Sequence, residues 1–246
     1  MRKFISAALA ALAVISIGVA IYMYVAGSAA GKTITEYEKV TTYKLREPST
    51  RYKFKTVDKS YFDDALFIGD SRTVGLHRYA ELYNADFLAE VGGTVQGVYG
   101  VTCADENGYY SLMDLLQNRT YGKVYIMFGV NEIAGDLNAN AEAFSQLVDT
   151  VKENQPNAII YICANLHVAE SYTYYNPYCN NERLDTYNNM LSELADGKTT
   201  FYIDINEVYD DDNGNLAPEF TGDGIHLYEA AYPIWASWLC ARAIDR

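Results

Sequence analysis

Histidine, cysteine and proline are scarce in this chain: three, four and five among 246 residues. The cysteines, Cys103, Cys163, Cys179 and Cys240, contain no CxxC pair and no Cys/His spacing, which removes zinc fingers, zinc ribbons and thioredoxin-type redox motifs and leaves no metal to assign. No pattern asks for a cofactor either. Any chemistry that needs an imidazole must use His77, His167 or His226. Positive charge is thin where it would matter most, since from Ser60 onward nine Lys and Arg face 28 Asp and Glu. Such a surface repels phosphate backbones, so nucleic acid is excluded as a partner.

Long hydrophobic runs are also missing, with a single exception. In "MRKFISAALAALAVISIGVAIYMYVAG", Phe4 to Ala26 has neither charge nor proline. About 20 such residues span a bilayer as a helix, and this run exceeds the roughly 7 to 15 of a signal-peptide core. The expectation is a single-pass anchor over residues 1–27, with Arg2 and Lys3 inside the cell and the remaining chain outside. Cleavage at "AGSAAG" and secretion is the alternative. Residues 28–59 alternate Thr, Tyr, Val and charge without a helical stripe and read as an extracellular linker or stalk. Outside the cell, four cysteines permit disulfides without implying them. Cys163, within the apolar "AIIYICAN", reads as a buried thiol.

What is present from residue 60 to 246 is an alternation. Apolar runs at 65–69, 86–92, 123–129, 158–165 and 199–205 are separated or followed by amphipathic segments near 72–83, 105–118, 138–154, 180–195 and 227–244. Short strands buried on both faces and alternating with helices predict a three-layer α/β/α domain on a parallel sheet. Sites in such sheets form beyond the carboxyl ends of the strands. Those ends carry "FIGDSRTVGL", "VGGTVQG", "FGVNEI", "NLHVAESYTYYNPY" and "TGDGIHL". In the first, Asp70 and Ser71 suit a helix cap, yet a serine presented where a strand turns into a helix also suits a nucleophile. In the last, Asp223 stands three residues before His226, close enough for the carboxylate to fix the imidazole tautomer.

These stretches together resemble the SGNH, or GDSL-type, hydrolase family over roughly residues 62–244. "FIGDS" matches its first block, "VGG" the glycine block, "GVNE" the third and "DGIH" the last. The resemblance implies a flavodoxin-like sheet of five parallel strands in the order 2-1-3-4-5. It implies a serine esterase with Ser71 as nucleophile, His226 as base and Asp223 as orienting acid. The oxyanion donors it implies are the amides of Ser71 and Gly92, with Gly93 second, and the side chain of Asn131. Two positions depart from the family pattern, Arg72 in place of leucine and Glu132 in place of aspartate, and neither position supplies an essential catalytic group. Arg72 reads as a helix-start residue that snorkels or pairs with a surface acid, or as a contact for an anionic substrate group.

His77 reads as surface or half-buried, and His167, which follows the fourth strand with no acidic neighbour in sequence, as structural or as a substrate contact. Ser171 to Tyr178 reads either as a sugar-binding wall or as an aromatic flap. "DDDNGN" lacks the first acid of a calcium loop and reads as a solvated turn. The leading expectation is a membrane-anchored extracellular esterase that removes small acyl groups, acetyl first, from a polysaccharide or an acylated small molecule. The alternatives are an O-acyltransferase of the same fold and a catalytically silent carbohydrate-binding module.

Overall fold

The computed structural model describes residues 52–244. The expected anchor and most of the expected stalk lie outside them. Among the described residues no helix is long and apolar enough to cross a membrane. In chain order the elements are β1 (Phe54–Lys55), β2 (Ala65–Gly69), α1 (Ser71–Tyr79), β3 (Asp86–Ala89), β4 (Thr102–Asp105), β5 (Gly108–Ser111), α2 (Leu112–Asn118) and β6 (Lys123–Met127). There follow α3 (Leu137–Asn154), β7 (Ile159–Cys163), α4 (Glu170–Tyr175), α5 (Asn181–Ser192), β8 (Thr200–Ile203), α6 (Asn206–Tyr209), α7 (Tyr232–Cys240) and β9 (Ala243–Ile244).

Five strands form one sheet in the order β3-β2-β6-β7-β8, every neighbouring pair parallel. This is the order that the sequence resemblance implies. Because side chains alternate across a strand, each strand supplies two faces. One face, with Leu66, Ile68, Val124, Ile126, Ile160 and Ile162, packs against Leu115 of α2, Phe144 and Leu147 of α3 and Leu184 of α5. The other is a rank of aromatic rings crossing all five strands. Phe87 and Phe67 stack at 4.8 Å, Phe67 and Tyr125 at 4.5 Å, Tyr125 and Tyr161 at 4.4 Å, and Phe201 follows at 6.3 Å. Each such pair adds about 0.5–1.5 kcal/mol beyond its buried area. Thr73 and Leu76 of α1 and Trp235 and Leu239 of α7 close over this rank.

Helix starts follow the polar residues before them. Asp70, Asp136 and Asn180 accept first-turn amides of α1, α3 and α5, and Ser111 with Asp114 forms a reciprocal capping box on α2. Three segments differ from expectation, one being the helix expected over 227–244, of which only Tyr232–Cys240 is α-helix and Ala243–Ile244 is strand β9. The helix expected over 105–118 begins only at Leu112, because residues 102–111 form an antiparallel hairpin. The stalk expected to end at residue 59 has Phe54 and Lys55 paired with Ile244 and Ala243, so β1 and the chain's last strand lie on the domain together. The four cysteines are unpaired, and burial pushes the Cys163 thiol up to about 12.

Candidate active site

Strand β2 is buried throughout and ends at Gly69, where a Cβ would collide with Thr73 and with the Met127 carbonyl. The chain therefore turns without a side chain at the strand's end. Asp70, extended and fully buried, accepts the Arg72 amide at 2.9 Å and caps α1. Ser71 is then the first helical residue. The alternatives posed by the sequence thus resolve onto consecutive residues: Asp70 is the cap, and Ser71 is free for another partner.

That partner is His226. Ser71 Oγ lies 2.9 Å from His226 Nε2, and His226 Nδ1 lies 2.7 Å from Asp223 Oδ2. The turn is held from within, because Asp223 Oδ1 accepts the amides of Ile225 and His226 at 2.9 and 2.8 Å. Burial pushes the Asp223 carboxyl up, but these amides and the His226 ring outweigh it and hold it down at about 2. An ionised Asp223 accepts the hydrogen bond of Nδ1–H and leaves Nε2 as the acceptor facing the serine hydroxyl. The structure therefore brings Ser71, His226 and Asp223 into one line of hydrogen bonds.

Gly92 and Asn131 approach the same edge. Gly92 adopts φ +75°, a left-handed turn that glycine enters at little cost. The Gly93 amide is already donated to the Glu90 carbonyl at 3.0 Å, whereas the Gly92 amide has no partner among the described residues. Asn131 donates one Nδ2 hydrogen to the Gly93 carbonyl at 2.8 Å, which fixes the plane of its amide and leaves its second hydrogen available. The Ser71 amide is the free N–H of a first helical residue. Three donors thus stand at the carboxyl ends of β2, β3 and β6.

Arg72 differs from both readings made of it. It is fully buried, and its Nε donates to the Ile225 carbonyl at 3.0 Å while Nη1 donates to the Leu166 carbonyl at 2.9 Å. It joins the serine helix to the Asp223–His226 turn and to the segment after β7. His167, without acidic neighbours in sequence, has two in space: Asp210 at 2.8 Å and Asp185 at 3.3 Å. His77 stacks on Phe87 at 4.5 Å, away from the serine's partners. Of the stretch 171–178, residues up to Tyr175 belong to α4; Tyr172 packs on Gly224 beside the histidine turn, and Tyr174, Tyr175 and Tyr178 are exposed. A polar cleft of about 450 Å³ opens between α4 and α5, lined by Glu170, Thr173, Tyr174, Glu182 and Asn215 among others.

A parallel three-layer domain with a serine, a histidine and a carboxylate aligned at its strand ends defines an acyl hydrolase of the α/β class. The sequence model of the GDSL-like Lipase/Acylhydrolase family matches residues 67–234, and the chain belongs to that family of carboxylic ester hydrolases. Similar solved folds include a GDSL-like lipase from Bacteroides thetaiotaomicron, with a TM-score of 0.58 at 14% identity over 83% of this chain and 94% of that one. An acetyl xylan esterase gives 0.53 at 16% over 71% and 96%. An active-site mutant of a family two carbohydrate esterase from Clostridium thermocellum gives 0.51 at 15% over 72% and 62%. No curated protein matches the chain in sequence.

Proposed function

We propose that the chain is a serine esterase that removes small acyl groups, acetyl first, from an extracellular carbohydrate or cell-surface polymer. The observation that carries this reading is the pair of distances from Ser71 to His226 and from His226 to Asp223, 2.9 and 2.7 Å. Ser71 Oγ attacks the ester carbonyl as His226 Nε2 takes its proton, and the carbonyl electron pair moves to oxygen among the amides of Ser71 and Gly92 and the Asn131 side chain. When the tetrahedral species collapses, the C–O bond to the sugar breaks and His226 returns the proton to the leaving hydroxyl. Water then attacks the acyl-serine by the same route and releases the acid. Asp223 stabilises the imidazolium formed in each half and keeps its orientation.

The carbohydrate part of the proposal draws support from two similar folds whose names are acetyl xylan esterase and carbohydrate esterase. The exposed Tyr174, Tyr175 and Tyr178, on and just after the helix whose Tyr172 packs on Gly224, add flat faces of the kind that sugar rings stack on. The uncharged run Phe4 to Ala26 supports an anchored domain outside the cell. The test is release of acetate from an aryl acetate and then from a panel of acetylated glycans. Ser71→Ala and His226→Ala should each abolish most activity, and the double variant should be scarcely worse, since the two act as a unit. A folded Ser71→Ala protein with full esterase activity would overturn the assignment. Protease added to intact cells should remove the domain; domain free in the medium with a new N-terminus near Gly31 would mean that the run is a cleaved signal.

A further inference from the structure

The segment from Glu90 to Val101 joins β3 to β4 without strand pairing, and only residues 98–100 form a short helical turn. Backbone turn bonds such as that from the Gly97 amide to the Thr94 carbonyl shape this loop, and side-chain bonds tie it to the loop after β6. The strongest such anchor is Glu132, the residue after Asn131. Its Oε1 accepts the Val95 amide at 3.0 Å, and its carbonyl accepts both the Gly135 amide and Asn140 Nδ2 at 2.9 Å. Asn140, itself buried, accepts Gln96 Nε2 at 2.7 Å. The remaining link between the two loops is the bond from Asn131 to the Gly93 carbonyl. Residues 93–96 are therefore tied to 131–140 at three points; the Glu132 carboxylate makes one of them, and its backbone carbonyl holds the Asn140 side chain that makes another.

We infer that Glu132 is a positioning residue for the ester hydrolysis, pinning the glycine turn so that the Gly93 carbonyl aims the Asn131 amide at the developing oxyanion. This rests on the reading of Ser71 as nucleophile and Asn131 as oxyanion donor. Glutamate reaches the Val95 amide from this position, and aspartate is one methylene shorter. Burial pushes the carboxyl up to about 7, with the charge of Asp70 adding to the effect and the Val95 amide opposing it. The Tyr187 hydroxyl of α5 is raised by burial, and the charge of Glu132 adds to that effect. Near neutrality the carboxyl therefore exists in part as a neutral acceptor, which makes glutamine a faithful replacement for the Oε1 bond.

The experiment is steady-state hydrolysis of an aryl acetate by the full chain and by Glu132→Asp, Glu132→Gln, Asn131→Ala, the Asn131→Ala/Glu132→Asp pair and Ser71→Ala, each checked for folding by its melting transition. Glu132→Asp should lower kcat about ten-fold or more with KM within about two-fold, because an oxyanion donor acts in the transition state. Glu132→Gln should recover most of that loss. In the Asn131→Ala background Glu132→Asp should cost less than about three-fold, since the side chain it aims is gone. A folded Glu132→Asp protein with wild-type kcat, a rise in KM alone, or a full ten-fold further loss in the Asn131→Ala background would each overturn the inference. Should Glu132→Asp not fold, a ten-fold loss in folded Glu132→Gln would do the same. Wild-type activity in Ser71→Ala would instead remove the nucleophile reading, so the two failures are distinguishable.

Discussion

A guanidinium with no exposure, such as that of Arg72, is costly unless its hydrogens are used. Two of them bridge carbonyls 94 and 153 residues further along the chain, at Leu166 and Ile225. Burial lowers the proton affinity of this group and raises that of Asp70, and each charge offsets the effect on the other. Since Ile225 adjoins His226, the proposed general base, this side chain is placed to set the geometry of that base. Arg72→Lys keeps a charge but loses the planar fork that reaches both carbonyls. Its kcat should fall about ten-fold or more, and wild-type kcat would count against the dependence. Arg72→Met, which also leaves Asp70 uncompensated, should lower unfolding stability by about 3–5 kcal/mol in urea titrations. The roles proposed for Ser71, Asp223 and His226 were legible because short motifs carry them. The partners of Arg72 and Glu132 were not, because only folding brings distant carbonyls and amides to them.

At the scale of elements, periodicity located the sheet. The run at 65–69 became β2 without change, and the other four runs contain β3, β6, β7 and β8 within their bounds. The hairpin of β4 and β5 takes up the first residues of the helix expected over 105–118, although its signal is in the sequence: Asp105 accepts the Asn107 amide at 2.7 Å and Gly108 stands at φ +143°, as in a turn that opens with aspartate and closes with glycine. β9 lies within the helix expected over 227–244 and follows α7 after two residues. What holds it is partly Tyr161, whose hydroxyl accepts the buried Ile244 amide at 2.8 Å and lies 2.9 Å from the hydroxyl of Tyr61. Tyr161→Phe keeps the ring in the aromatic rank but leaves that amide without its acceptor, at a cost of about 1–3 kcal/mol. The urea midpoint should fall accordingly, with hydrolysis of an aryl acetate preserved. An unchanged midpoint would show that the bond contributes nothing to the pairing of β1 and β9.

For the whole molecule, the excess of acid from Ser60 onward was evident in the sequence, but the direction in which stability follows pH was not. It depends on acids that meet only in the fold. Burial pushes Glu132 up to about 7 and Asp204 up to about 6. Burial would lower His167, yet the Asp210 bond and the charges of Asp210, Asp185 and Asp204 outweigh it and raise the imidazole above its ordinary value. All three groups therefore bind protons more tightly in the native chain than in the unfolded one. Where the native state holds more protons, stability falls as pH rises. The contribution of His167 is complete below the ordinary histidine value of about 6.5 and is lost as pH rises through its folded value. Those of Asp204 and Glu132 are lost between about 4 and their folded values. The opposite limit comes from Asp223, held down at about 2, and Asp196, lowered despite burial by the amides of Thr200, Thr199 and Lys198. Their stabilisation is present above the ordinary carboxylate value and disappears as pH falls below about 4. Melting temperatures at fixed ionic strength should peak near pH 4–5 and decline toward pH 8, with about one to a few kcal/mol at stake. In Asp204→Asn the decline between pH 4 and 6 should flatten while that above pH 6.5 persists, and His167→Gln should show the reverse. A melting temperature that climbs steadily from pH 5 to 8 would mean that these buried protons do not govern the fold's stability.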